Sequence, residues 1–240
     1  MAVRYFTPAE EIPLAGHPTI ATAVALVHAG VVSLQGGPQQ LSFELLEGPI
    51  SVAIAPGTDG QPLQVTMTQR RPVFGHLHEP AAVLPLFGLT LDDLLPGAPI
   101  QTVSTGTPQL MVLLRDHAAL RRAQAPEAAA YTRYRAASDF FSPHLFCLGG
   151  ATPLGSTFAR HFGTPPDILE DPVTGSATGA MAAYLHHHGY LTATTYVAEQ
   201  GHWLGRPGAV QVNVQSQNGI VEQVQIGGTG VVLVEGRLTV

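Results

Sequence analysis

The sequence predicts an α+β protein of two pseudo-symmetric domains, each a curled, mostly antiparallel sheet around a central helix. Three observations carry that expectation. A run of residues recurs in the second half of the chain, each copy contains a helix that is apolar almost all round, and the strands that follow alternate with period two. A sheet with one apolar face and a helix with no polar face satisfy each other when the sheet wraps the helix.

The repeat sets the elements. Glu11-Ile12-Pro13-Leu14-Ala15-Gly16-His17-Pro18-Thr19-Ile20-Ala21 overlays Glu170-Asp171-Pro172-Val173-Thr174-Gly175-Ser176-Ala177-Thr178-Gly179-Ala180 at a constant offset, and Leu26 falls on Leu185. Just upstream, Arg4-Tyr5-Phe6 matches Arg160-His161-Phe162 after a small adjustment. Each copy begins with a short strand, Val3 to Phe6 or Thr157 to Phe162, and continues through a Pro-containing loop. A Gly then precedes a helix, expected over Pro18 to Ala29 and Ala177 to His188. Pro18 suits a first helical turn, Ser176 an N-cap, and Gly30 and Gly189 the C-terminal stops. Ile20 to Val27 is apolar nearly all round, which predicts burial on every side. Ala177, Ala180, Ala182 and Ala183 make the second helix equally smooth. Val210, Val212 and Val214, then Val221 to Ile226, then Val231 to Val234 read as strands, with Asn218-Gly219 as a hairpin turn. The domain boundary is placed near Pro99, giving units 1–99 and 100–240. Beyond it come Val103 to Leu114, a helix expected over Ala118 to Ala129, and a strand Leu145 to Leu148. Only Met1 to Val3 precede Arg4, so the first unit is expected to lack its opening strand and helix.

Composition closes several functions. Apolar residues are 45 % of the 240 and charged residues 12 %, which supports a full core. The apolar stretches are too short to cross a bilayer and no basic, apolar leader follows Met1, so a cytoplasmic protein with no membrane partner is expected. The net charge is −6 with no basic stripe, which argues against nucleic acid. All 11 cationic residues are arginines. Without lysine there is no pyridoxal-phosphate Schiff base, no substrate imine and no P-loop phosphate lysine. The single cysteine, Cys147, allows no intrachain disulfide and no Cys-based zinc site, and reads as buried and inert. His186-His187-His188 point apart on a helix and read as a solvated helix end, and Gly227-Gly228-Thr229-Gly230 is followed by a strand, unlike a dinucleotide loop. No cofactor and no metal is expected.

The two Gly-led helix N-termini favour anions, and in a pseudo-two-fold protein they can face each other across a cleft suited to a carboxylate. The copies differ where chemistry would sit: His17 stands opposite Ser176, and Asp171 opposite Ile12. His17 is either a proton relay, since a helix N-terminus disfavours the cation, or a capping histidine. Asp171 is either a proton donor and acceptor or a loop carboxylate bracing backbone N–H groups. Ser104-Thr105-Gly106-Thr107 is either a turn or a source of cleft hydroxyls. Arg206 reads as bracing its turn-rich loop.

These residues resemble a known family. Arg4-Tyr5-Phe6-Thr7-Pro8, Glu11 to Thr19, Ser104-Thr105-Gly106, Glu170 to Ala177, and Glu199-Gln200-Gly201 with Gly205-Arg206-Pro207 are similar to the signatures of PhzF-like isomerases of phenazine biosynthesis. The resemblance implies the diaminopimelate-epimerase-like fold, with two domains each a sheet around a central helix. It implies a cofactor-independent isomerase with Asp171 as acid/base, His17 as relay, and Gly16, Pro18, Thr105, Gly175 and Ser176 as substrate contacts. A homodimer is implied as well. Thiol epimerases of the superfamily carry Cys where Ala15 and Thr174 stand, so a two-thiol racemase is not expected. The family also carries a catalytic Glu in an Asn-Leu-Ser-Glu-like motif ahead of its Arg-x-Phe-Thr-Pro strand; Glu10 and Glu11 align with the loop of Glu170 and do not replace it. Two functions follow as expectations: an isomerase moving a proton on a small carboxylic acid, or a small-carboxylate-binding remnant of the same fold with impaired catalysis.

Overall fold

The structure, a computed structural model, describes residues 1–6, 11–12, 14–46, 48–57, 62–163 and 169–236; Thr7, Pro8, Glu10 and Pro13 of the first repeated loop lie outside them. The first copy opens with β1 (Tyr5–Phe6), β2 (Glu11–Ile12) and α1 (His17–His28), followed by the meander β3 (Gln39–Leu45), β4 (Gly48–Ala55) and β5 (Leu63–Thr68). Then come β6 (Val73–His78), α2 (Pro80–Val83), β7 (Ile100–Ser104), β8 (Pro108–Leu113), α3 (His117–Arg122), α4 (Ala128–Ala136) and β9 (Ser142–Leu148). The second copy runs β10 (Gly155–Phe162), β11 (Glu170–Asp171), α5 (Gly175–His187), β12 (Thr195–Gln200), β13 (Gly208–Gln217) and β14 (Ile220–Gly230).

The repeat in sequence is a repeat in geometry. β1 pairs antiparallel with β2 through Tyr5–Ile12 and Phe6–Glu11, and β10 with β11 through His161–Asp171 and Phe162–Glu170. The same bidentate ion pair ties each strand to its loop: Arg4 to Glu11 at 2.6 Å and Arg160 to Glu170 at 2.7 Å. Thr19 and Thr178 each donate back one helical turn, to the carbonyls of Ala15 and Thr174. Gly30 and Gly189 end the helices in the left-handed region.

One large sheet runs β3-β4-β5-β14-β13-β12-β10-β9-β8-β7-β6, with β11 added beside β10. Among the described strands, β8/β9 and β10/β12 pair parallel and the rest antiparallel. The halves join where β5 and β14 pair antiparallel, Thr68 opposite Gln225 through Leu63 opposite Gly230. One core gathers Ala23 and Val24 of α1, Met181 and Leu185 of α5, and the inward residues of β3, β4, β5, β13 and β14. A second core lies on the other face of β8, β9 and β10, where Leu110, Leu145 and Phe158 meet Leu84 and Phe87 after α2 and Leu120 of α3. Buried on both faces, β8 from Leu110 to Leu113 and β9 from Leu145 to Cys147 read in sequence as apolar runs. β6 pairs with β7, so residues 73–99 pack with the C-terminal strands. We keep the division at 99/100 as a proposal for where the second copy begins.

Several expectations need correction. α5 is buried continuously from Gly175 to Leu185, but α1 buries only Thr19, Ala23 and Val24. α5 packs on β7, β8, β13 and β14, whereas α1 packs on β5 and β14, which leaves Ala21 and Ala25 exposed. Ala118 to Ala129 is not one helix. Pro126 disfavours helix at the residue before it, and Asp116 and Glu127 each cap a separate short helix through backbone N–H groups. Ser176 lies inside the first turn of α5, whose N-cap is Thr174. Val3 to Phe6 shortens to Tyr5–Phe6, because Val3 instead donates to the Glu44 carbonyl. Val231 to Val234 forms no strand: β14 ends at Gly230 and these side chains are exposed. Gly227 to Gly230 lie within β14 itself.

Candidate active site

The two repeated helices meet at their N-termini, backbone against backbone. A Cβ placed on Gly16 would fall 2.6 Å from Gly175 Cα, and one on Gly175 would fall 3.1 Å from Gly16 Cα. Only glycine at both positions allows this approach. It brings together two sets of first-turn N–H groups and the positive ends of two helix dipoles. A cleft of about 370 Å³ opens at this point. Gly16, His17, Pro18, Asp171, Gly175 and Ser176 all line it, so six of the seven residues singled out from the sequence share one cavity.

Asp171 stands on β11 beside β10, and its carboxylate Oδ2 accepts from the Thr174 hydroxyl at 2.7 Å. Gln200 of β12 fixes the loop below it. Its Nε2 donates to the Asp171 carbonyl at 2.6 Å, and its Oε1 accepts from the Thr174 N–H at 3.2 Å. The carboxylate is therefore aimed by a hydroxyl while the backbone of its loop is held separately. His17 is the first residue of α1 and exposed to the cleft, with Pro18 completing the turn.

Thr105, the seventh residue, does not line the cleft. Its hydroxyl donates to Gln69 Oε1 at 2.5 Å, and Gln69 Nε2 donates to the Gly175 carbonyl at 3.0 Å. Thr105 thus acts on the site through Gln69, which holds the start of α5; a Cβ at Gly179 would overlap the Gln69 amide. Of the same segment, Thr107 reaches the cleft wall. The three helix-end histidines part company: His186 meets Ser216, His188 meets Gln101, and His187 stacks on Phe74. Cys147 is buried, which pushes its thiol up to about 12. Arg206 is exposed and away from the cleft.

Residues 1–236 match the family described as "Phenazine biosynthesis-like protein" (PhzC-PhzF). The chain belongs to that family. It is similar to the uncharacterized isomerase YddE of Salmonella typhimurium, 34 % identical over 96 % of this chain and 77 % of the relative. It is similar also to trans-2,3-dihydro-3-hydroxyanthranilate isomerase of Pseudomonas aeruginosa, 30 % identical over 98 % and 78 %. Among solved structures, the Bacillus anthracis phenazine biosynthesis protein of the PhzF family superposes with a TM-score of 0.80 at 27 % identity, covering 95 % of this chain and 77 % of that one. A probable proline racemase from Agrobacterium radiobacter shares the fold, with a TM-score of 0.70 at 13 % identity over 99 % and 71 %. As a PhzC-PhzF family member the chain is an isomerase.

In this family member the cleft has a further wall that motif reading did not reach. Tyr131 and Arg135 of α4, with Phe141, Ser142 and Gln109, line it, and Arg135 lies over the Phe141 ring at 4.7 Å. These positions precede the run that recurs, so no repeat marks them. His161 lines it too, and here a signal was present. The adjusted match of Arg4-Tyr5-Phe6 to Arg160-His161-Phe162 sets His161 against Tyr5, a titratable group replacing the tyrosine whose hydroxyl bonds Thr19. His161 lies beside His144, and burial holds its imidazole down to about 4, an effect that nearby Asp171 only partly opposes.

Proposed function

We propose that this PhzC-PhzF family isomerase moves a proton on a small carboxylic acid without a cofactor. The meeting of the two helix N-termini at Gly16 and Gly175, with Asp171 and His17 on the same cavity, carries the reading. The substrate carboxylate sits on the first-turn N–H groups of α1 and α5 and on the Ser176 hydroxyl. Asp171 takes or returns the proton at carbon, and His17 relays it. Charge that moves onto the carboxylate as the C–H bond breaks is met by dipoles already in place, each such donor being worth about 10²–10³ in rate. The apolar walls from Phe6, Ile12, Leu14 and Phe141 suit a carbocyclic or otherwise apolar body on the acid.

The relative named as trans-2,3-dihydro-3-hydroxyanthranilate isomerase makes that acid the first substrate to try. The experiment is incubation in deuterium oxide with a panel of small cyclic and α-substituted acids, read by mass spectrometry. Deuterium is expected at one carbon of at least one acid. Acids that raise the melting temperature yet never exchange would overturn the isomerase reading in favour of a carboxylate-binding remnant.

A further inference from the structure

His144 and His161 are buried neighbours that the proposed proton transfer does not use. They are cross-strand partners on β9 and β10, with their Nδ1 atoms 3.2 Å apart. A hydrogen bond between two Nδ1 atoms needs one ring to donate and the other to accept. The other nitrogen of His144, Nε2, is buried and meets no partner. A buried N–H with no acceptor is rarer than an unused lone pair. The favoured arrangement therefore keeps the His144 proton on Nδ1, given to His161, and leaves a bare lone pair on His144 Nε2. His161 Nδ1 is then an acceptor, and its own proton sits on Nε2. With Nδ1 engaged by His144, Nε2 is the ring nitrogen left to meet a ligand in the cleft that His161 lines. Burial keeps both rings neutral, His144 being held well below its ordinary range.

We propose that His161 is a substrate-binding donor, its Nε2–H meeting an anionic oxygen of the bound acid, and that His144 is the positioning residue that fixes this tautomer. The inference rests on the carboxylate reading above and adds a residue to it. A neutral donor polarises the oxygen as negative charge grows there. It does so without the charge that a cation beside Asp171 would bring, which would weaken that carboxylate as a base. The first copy offers no equivalent, since Tyr5 at the matching position is bonded to Thr19.

The test is nitrogen NMR on the whole chain with isotope-labelled histidine, His161 being assigned from the signal lost in His161→Gln. The expected result is a neutral Nε2–H tautomer at His161 from mildly acidic to mildly basic pH, and a shift of that Nε2 signal on adding benzoate. In His144→Phe, which keeps a ring but cannot donate, His161 is expected to mix both tautomers. A wild-type His161 that carries its proton on Nδ1, or that becomes cationic near the ordinary histidine range, overturns the inference whether or not any variant folds. Benzoate that moves the Gly175 and Ser176 amides but not His161 Nε2 also overturns it, and leaves the proposed function standing. Benzoate that moves neither overturns both.

Discussion

Asp171 is oriented by the Thr174 hydroxyl, while Gln200 ties down the backbone of both residues. Those two jobs come apart on mutation. Asp171→Asn should keep the fold, with little change in melting temperature, and lower proton exchange by about 10²–10⁴, because an amide cannot take up the proton. A large drop in melting temperature with exchange retained would instead mark Asp171 as a brace. His161 leaves a second trace, in stability. Its folded value is about 4, against ~6.5 for an unperturbed histidine. Above that unperturbed value neither state holds the proton and His161 adds no slope. Between the two values the unfolded chain binds a proton that the folded chain refuses, so stability falls as pH falls, by up to ~1.4 kcal/mol per pH unit. His144, held down by burial in the same way, acts in the same direction. Urea unfolding at about pH 7 and about pH 5 measures the slope, and His161→Phe should lessen it. At this scale the sequence was legible wherever the two copies could be compared. Asp171 and His17 stood out as exchanges within a repeated loop, and His161 was open to the same comparison. Tyr131 and Ser142 were not, because nothing in the first copy aligns with them.

The helices carry the site because glycine lets them touch. Gly16→Ala would set a methyl 2.6 Å from the Gly175 backbone, and backbone cannot step aside as a side-chain end can. The expected cost is about 1–3 kcal/mol, typical of overpacking, together with weakened carboxylate binding. Gly36→Ala, where no atom lies within 4 Å, is the control and should change neither. α1 and α5 make a second contrast. Ala21→Glu on the exposed side of α1 is expected to shift stability by no more than about 0.5 kcal/mol, whereas Ala180→Glu in the buried heart of α5 should prevent folding, since a lone carboxylate there has no partner. Melting curves of the two variants check this. The apolar pattern of Ile20 to Val27 gave the helix correctly and its burial wrongly, because periodicity reports a face and says nothing of what packs on it. The break at Pro126 was written in the sequence; the alanines on either side of it hid the two caps.

At the scale of the whole molecule the halves are stitched by β5 and β14 into one sheet, and the core around α1 and α5 draws on both. Unfolding should therefore be a single transition. Trp203, packed on Phe158 in the second half, reports one region by fluorescence, and circular dichroism reports the whole chain. Coincident curves are expected, and separated ones would mean that the seam is weaker than either half. The α+β class and the duplication were legible because capping glycines, prolines and alternating valines are local signals. The continuity of the sheet was not, because the pairing of β5 with β14 joins residues far apart in the chain and leaves no mark in either strand. The contact of Gly16 with Gly175 has a genetic meaning as well. In a dimer of identical single copies, every substitution at such an axis would appear twice, once on each side of the ligand. With both copies in one reading frame, a codon can change alone: isoleucine on one side and aspartate on the other, tyrosine facing histidine, histidine facing serine. An asymmetric reaction, with different groups on the two faces of one substrate, is thereby open to inheritance in a single gene.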